Sequence, residues 1–180
     1  MHGGAALAAT SARRFHSGPD DDARPESMNQ IAALLPPSNI VVDLDVATKP
    51  QFFTAIGRVF EQNSGLAQAS VAASLAAREK LGSTGLGQGI AIPHGRLHGL
   101  HEALGAYARL RAPVPFDAPD GKPVQQLFVL LVPEHATDQH LQLLSELAQM
   151  FSERTFREQL TQAPDAQTVA DVFRGWKSAA

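Results

Sequence analysis

His94 stands between Pro93 and Gly95 at the end of a short apolar run, in the segment GQGIAIPHGR. A neutral imidazole can attack a phosphoryl group, and the P–N bond that results keeps a high transfer potential. Such an acceptor needs one exposed ring nitrogen, a hydrogen bond to the other, and cations or N–H donors around the phosphoryl oxygens. We expect Pro93 to fix the approach of the strand and Gly95 to leave the ring uncrowded.

His140 is the best candidate in the chain for a donor beside His94. If Thr137 caps a helix, His140 occupies the third helical position, where free amides and the positive end of the helix dipole favour an anion. A lone histidine in a loop is more often a surface residue without chemistry. From the residues alone, both interpretations of His94 stay open.

Phosphate-loop and hydrolase motifs fit this region poorly. In the glycine-dense segment 82–89, Gln88 stands where a Walker A loop has its lysine, and Gly89 stands where it has its hydroxyl. A dinucleotide fingerprint fails because position 90 is isoleucine and the loop leads into a strand rather than a helix. The chain also lacks a GxSxG elbow and any cysteine nucleophile.

His94, His98 and His101 have the spacing of one helix face, a pattern that can indicate a zinc site. Pro93 and Gly99 make a continuous helix through this stretch unfavourable, so we expect no metal and no cofactor. A histidine phosphatase would need an arginine immediately before the histidine, a position that proline occupies here.

Composition indicates a globular protein with one domain. Of the 180 residues, 44% are hydrophobic and 18% are charged, and the net charge of −3 does not favour a nucleic-acid partner. The longest strongly apolar run, 127–132, is far shorter than the roughly 20 residues that span a bilayer, so no membrane insertion is expected. The absence of cysteine fits a cytoplasmic location.

The first 27 residues differ in composition from the rest of the chain. They are rich in small residues, arginine and aspartate, which predicts a disordered N-terminal extension, 1–27, before a domain at 28–180. Met28 opens the first apolar pattern and could be the natural start of the protein.

Hydrophobic periodicity and turn residues predict an α/β fold, a single domain with a mixed central sheet flanked by helices on both faces. Six helices are predicted. Four have the ranges Met28–Leu35, Leu66–Leu81, Thr155–Leu160 and Asp165–Lys177. Another is capped by Thr48 and ends near Gly65, and the last runs from Thr137 to Phe151 with Leu141 among its apolar positions. The predicted strands are Asn39–Asp43, Ile90–Ile92, Leu104–Arg111 and Gln125–Val132.

Two longer segments carry a family resemblance. AREKLGSTGLGQGIAIPHGR (77–96) and LLVPEHATDQHLQLLSELAQMF (130–151) closely resemble the enzyme IIA domain of the mannitol/fructose type in the bacterial phosphoenolpyruvate-dependent phosphotransferase system. The similarity runs from about Met28 to the C-terminus and is nearest to the standalone nitrogen-regulatory form. It implies a metal-free and cofactor-free protein.

The resemblance implies a role for each of several residues. His94 is the residue that a phospho-HPr-like carrier protein phosphorylates, with enzyme I and phosphoenolpyruvate upstream. Arg78 and His140 surround the phosphoryl group. The neighbouring loop residues Ser83, Thr84 and Gly95 line the site. Without the resemblance, Arg78 would be interpreted as a surface ion-pair residue beside Glu79 and Lys80.

Three functions follow as hypotheses. The leading one is a regulatory phosphoryl carrier, whose phosphorylation state controls target proteins such as kinases or transport regulators. The alternative within the family is a sugar-transport IIA component that passes the group to a IIB domain. A binding module that is never phosphorylated is a third possibility from another class.

Overall fold

The computed structural model describes residues 29–135 and 138–178, and these contain six helices and six strands. The helices are α1 (Gln30–Ala33), α2 (Lys49–Ser64), α3 (Gln68–Lys80), α4 (Asp138–Ser152), α5 (Arg154–Gln162) and α6 (Ala166–Gly175). The strands are β1 (Ile40–Leu44), β2 (Gly85–Gly87), β3 (Ile90–Ala91), β4 (His94–Leu97), β5 (Leu104–Val114) and β6 (Val124–Pro133). The predictions for residues 1–27, Met28 and Thr137 lie outside the described residues.

The strands form one mixed sheet in the order β1-β5-β6-β3-β2, and β4 also pairs with β6. The β5–β6 pair is antiparallel, whereas β1 runs parallel to β5, and both β3 and β4 run parallel to β6. Strand β6 therefore lies at the centre of the sheet, as expected for its continuous apolar sequence. This arrangement confirms the predicted α/β fold.

Successive residues of β6 enter two separate cores, one on each face of the sheet. Phe128, Leu130 and Val132 pack with α1, α4, α5 and α6. Leu127, Val129 and Leu131 pack with α2 and α3. The alternation follows from the two-residue period of a strand, and it confirms helices on both faces. None of the helices in the described ranges has the length and apolar composition to cross a lipid bilayer.

Helix α2 begins and ends where local chemistry predicts. The Thr48 hydroxyl accepts a hydrogen bond from the Gln51 amide at 3.2 Å, and Gly65 closes the helix with φ of 69°. The Gln51 side chain accepts from the amide of Ala47 at 2.8 Å, one residue before the expected capping-box partner.

Leu141 is not part of the core, contrary to the prediction for α4. Its side chain is 67% exposed, whereas Leu143, Leu147 and Met150 are buried. Those three residues are spaced by three and four positions and share one helix face, and Leu141 points away from it because two positions correspond to about 200° around a helix.

The strand that carries His94 does not end at Ile92, as the sequence suggested. Ile90 and Ala91 pair with β6, the ladder is interrupted at Ile92 and Pro93, and pairing resumes with His94 opposite Leu130. Proline has no N–H to donate to a ladder, which explains the interruption. His94 is thus the first residue of a strand and not a loop residue.

Gly95 also lies in β4 rather than in a loop. It is buried against Ser74 of α3, whose hydroxyl donates to the Arg96 carbonyl at 2.8 Å. A Cβ atom on Gly95 would lie 3.2 Å from the Ser74 carbonyl carbon and would press on the Ser74 hydroxyl. The glycine therefore permits the close approach of α3 to β4.

Replacing Gly95 with alanine is expected to lower the free energy of unfolding by about 1–3 kcal/mol, because the added methyl overpacks this contact. Urea denaturation followed by circular dichroism measures the change. Gly175→Ala is the matched control, since a Cβ there meets nothing within 4 Å. Equal effects of the two substitutions would contradict the close packing of α3 on β4.

Candidate functional site

The His94 ring is oriented by a backbone carbonyl two residues earlier in the chain. Its Nδ1 lies 2.8 Å from the carbonyl oxygen of Ile92, and the residue is half-buried at the start of β4. A carbonyl can only accept a hydrogen bond, so Nδ1 carries the proton. The neutral ring then presents an unprotonated Nε2, which is the form that acts as a nucleophile.

His140 faces His94 from the first turn of α4. The two ring centroids are 5.3 Å apart and the ring planes are at 75°, an edge-to-face arrangement. The Nε2 atom of His140 is buried and has no hydrogen-bond partner among the described residues. A buried polar atom without a partner costs free energy, so this nitrogen is suited to bind a polar group of a ligand at His94.

Arg78 brings a positive charge to the same place from the last turn of α3. One of its guanidinium nitrogens, Nη1, donates to the carbonyl of Gly82 at 2.9 Å, which holds the half-buried side chain at the end of its helix. A guanidinium has five N–H donors in all, so others remain for an anion. The Arg78 charge lowers the pKa of both His94 and His140. The structure thus brings the three predicted residues together.

Both histidines are held in the neutral form. Burial is the main cause that lowers the pKa of His94, and Arg78 lowers it further, while the Ile92 carbonyl and, more weakly, the Glu79 carboxylate oppose these effects. Burial also lowers the pKa of His140, with smaller contributions from His94, Arg96 and Arg78. The pair can therefore accept an electrophile at neutral pH without first losing a proton.

Ser83 and Thr84 lie next to the site, but their hydroxyls hold the loop in place. The Ser83 hydroxyl donates to the Phe116 carbonyl at 2.6 Å. The Thr84 hydroxyl donates to the Glu79 carboxylate at 2.6 Å, and the Thr84 amide donates to the same group at 3.2 Å. Neither donor of Thr84 is directed at His94.

Glu79 is the residue that sequence reasoning missed. In the sequence it stands only as a charged neighbour of Arg78, yet its side chain is 6% exposed. The spacing of α3 contained the signal: Val71, Leu75 and Glu79 follow one another at four-residue intervals, and all three are buried.

The remaining histidines of this region do not assemble a metal site. His94 lies in a strand, so the helical alignment with His98 and His101 does not occur, and His98 pairs with Glu134 at 2.9 Å. Within 29–135 and 138–178, no three histidine or acidic side chains are placed to hold a metal ion together.

The chain matches one family along most of its length. The family model described as "Phosphoenolpyruvate-dependent sugar phosphotransferase system, EIIA 2" covers residues 33–175, which include His94, Arg78 and His140. A "Nitrogen regulatory protein" of Pseudomonas aeruginosa is 42% identical over 153 residues, which span 82% of this chain and 99% of that protein.

Two further comparisons agree with this match. The crystal structure of nitrogen regulatory protein IIA-Ntr from Neisseria meningitidis superposes with a TM-score of 0.76 at 51% identity, covering 81% of this chain and 99% of that one. A "PTS system fructose-specific EIIA component" of Haloferax volcanii is 38% identical over 117 residues, 65% of this chain and 72% of that protein.

The lowered pKa values of His94 and His140 give a pH dependence of stability. In the window below the ordinary pKa of 6.5 the unfolded chain binds more protons than the folded one, so the free energy of unfolding falls as the pH falls. The contribution is complete above that pKa. We expect the free energy of unfolding of His94→Gln to fall less between about pH 8 and about pH 5 than that of the unmodified protein. Urea denaturation at the two pH values measures both.

The matched control is His101→Gln, which replaces an exposed histidine of the neighbouring loop. If the His94→Gln protein lost as much stability between the two pH values as the unmodified protein does, burial of a neutral ring at this position would be refuted.

Proposed function

Because this chain belongs to the EIIA type 2 family of the phosphoenolpyruvate-dependent sugar phosphotransferase system, we propose that it is a regulatory phosphoryl carrier that accepts the group on His94. The donor is a phospho-HPr-like protein, itself charged by enzyme I and phosphoenolpyruvate. The observation that carries the proposal is the pair of neutral rings 5.3 Å apart, with the Ile92 carbonyl orienting His94 and the Nε2 of His140 buried beside it.

The transfer exchanges one P–N bond for another. The Nε2 lone pair of His94 attacks phosphorus while the bond to the donor histidine breaks, and the leaving imidazole keeps the electron pair of that bond. The proton on Nδ1 of His94 stays in its hydrogen bond to the Ile92 carbonyl. The oxygen of that carbonyl stabilises the positive charge that the ring acquires. No proton has to leave the acceptor before attack, which is why the neutral ring matters.

Arg78 and His140 stabilise the phosphoryl oxygens during this exchange. Arg78 offers a fixed planar cation whose remaining N–H groups match the geometry of a phosphoryl group. In the tautomer protonated on Nε2, His140 donates from its buried nitrogen, and its place in the first turn of α4 adds the favourable end of the helix dipole.

Regulation follows from the change in charge at the surface. Phosphorylation adds roughly two negative charges to a site whose histidines are neutral. Two leucines near the site residues in the chain, Leu81 three positions after Arg78 and Leu141 directly after His140, are 84% and 67% exposed and give a partner apolar contacts there. Target proteins such as kinases or transport regulators would bind one form in preference to the other. The relatives named nitrogen regulatory proteins support this role.

A sugar-transport role is the second candidate, and the fructose-specific relative from Haloferax volcanii favours it. A transport component passes its phosphoryl group to a IIB domain, whereas a regulator keeps it. Mixing the phosphorylated protein with a fructose-specific IIB domain separates the two functions, because only a transport component loses its phosphate rapidly.

Incubation with phosphoenolpyruvate, enzyme I and an HPr-like protein is expected to place one acid-labile, base-stable phosphate on the chain. The lability is that of a P–N bond, and mass spectrometry of peptides should locate the group on His94. His94→Ala should take up none, while His101→Ala should behave like the unmodified protein. No phosphate on the unmodified chain, or undiminished phosphate on His94→Ala, would refute the proposal.

Arg78→Ala and His140→Ala are each expected to slow phosphorylation by at least about tenfold, since one lost donor at the transition state costs a few kcal/mol. Rapid-quench measurement of the transfer gives the rate, and circular dichroism checks that the fold is intact. Arg154→Ala, at an exposed ion pair on α5, is the matched control. An unchanged rate in both site variants would remove the roles assigned to Arg78 and His140.

A further inference from the structure

Glu79 is a buried carboxylate with a complete set of partners. Its two oxygens accept hydrogen bonds from the amide of Thr84 at 3.2 and 3.3 Å and from the Thr84 hydroxyl at 2.6 Å. Lys49 of α2 donates to it at 2.9 Å. The same lysine reaches Asp117 at 3.2 Å and lies over the Phe116 ring at 4.8 Å. Four donor contacts thus converge on one side chain.

Stability alone explains this arrangement poorly. Removing a carboxylate from water is costly, and a buried ion pair often stabilises a fold no better than apolar residues of similar volume. Glu79 also occupies the position after Val71 and Leu75 on the buried face of α3, where an apolar residue would pack without that cost. The Glu79 carboxylate does, however, hold Thr84 and so imposes one conformation on the loop that follows α3.

A continuous series of hydrogen bonds leads from Glu79 to the His94 ring. The carboxylate holds the amide of Thr84, and the Thr84 carbonyl accepts from the Ile92 amide at 3.0 Å. The Ile92 carbonyl in turn accepts from Nδ1 of His94 at 2.8 Å. The backbone of Ile92 faces away from β6: the Pro93 carbonyl accepts from the Leu130 amide of β6, whereas the Ile92 amide donates to Thr84, the residue before β2.

The backbone of Glu79 also makes a contact at the end of α3, the helix that carries Arg78. The Gly82 amide donates to the Glu79 carbonyl at 3.2 Å, and the Gly82 carbonyl accepts from the Arg78 guanidinium at 2.9 Å. This second contact is made by the backbone of residue 79, so the Glu79 carboxylate itself leads only to the nucleophile, His94.

We propose that Glu79 is a positioning residue for phosphoryl transfer, which acts through Thr84 and Ile92 to fix the orientation and tautomer of His94. The proposal rests on the phosphoryl-carrier function. Glu79 touches neither the phosphoryl group nor the His94 ring, so its effect is on the geometry of attack and not on the bonding of the group transferred.

Glu79→Gln tests this role directly. The amide keeps the size of the side chain but cannot accept from Thr84 and Lys49 with both of its terminal atoms. We expect the rate of transfer within the carrier complex to fall about tenfold or more, as misplacement of a nucleophile produces, while the affinity for the carrier stays unchanged. In the unphosphorylated protein, ¹⁵N NMR of the His94 ring should show loss of the single Nδ1–H tautomer.

A second pair of variants keeps the test valid if Glu79→Gln does not fold. Thr84→Ala removes the hydroxyl donor and should reproduce the slower transfer and the mixed tautomer, whereas Thr84→Ser retains the hydroxyl and should restore both. Combining Glu79→Gln with Thr84→Ala should cost little beyond either change alone, because the two variants break the same contact.

The control is Glu153→Gln, which alters a carboxylate bonded to Trp176 at 3.0 Å, outside the series that leads to His94. It should leave the transfer rate and the His94 tautomer unchanged. If the unmodified protein accepts phosphate normally and the Glu79 and Thr84 variants match it in rate and tautomer, the positioning role is overturned while the carrier function stands. If the unmodified protein accepts none, the carrier function itself is refuted, and the positioning role with it.

Discussion

The site depends on one carbonyl group, that of Ile92, being available to a side chain. Successive residues of a strand direct their backbone groups to opposite sides, and those of Ile92 face away from β6. The Pro93 carbonyl accepts from the Leu130 amide of β6, and the Ile92 amide donates to the Thr84 carbonyl on the β2 side. The Ile92 carbonyl then receives the ring of His94, two residues later. A backbone carbonyl that faces away from β6 thereby selects the tautomer of the histidine.

The electrostatics of the site are set by burial more than by pairing. Neither histidine has a carboxylate partner among the contacts described, and desolvation keeps both rings neutral while Arg78 supplies the cation. The acid that raises the pKa of His94, Glu79, is occupied by Lys49 and Thr84 and affects that pKa only weakly. An acid in direct contact with the ring would raise its pKa and favour the protonated, non-nucleophilic form.

The sequence predicted the elements well because periodicity and caps are local properties, and the central strand β6 shows this. It failed where the outcome depended on a neighbour distant in the chain. The resumption of pairing at His94 requires Leu130, and the burial of Gly95 requires Ser74. Arg78 could be assigned to the site only through family resemblance. Glu79 was missed because a charged residue between two others resembles a solvated helix end.

The two faces of the sheet contribute differently to the site. Arg78 belongs to α3, which packs into the core on one side of β6, whereas His140 belongs to α4, which packs into the core on the other side. Strand β6, which pairs with the strand of His94, contributes side chains to both cores. Repacking in one core can therefore shift one partner of the histidine without disturbing the other. Among proteins that share this fold, the position of the cation that Arg78 supplies here can change without a change in the position of the donor that His140 supplies.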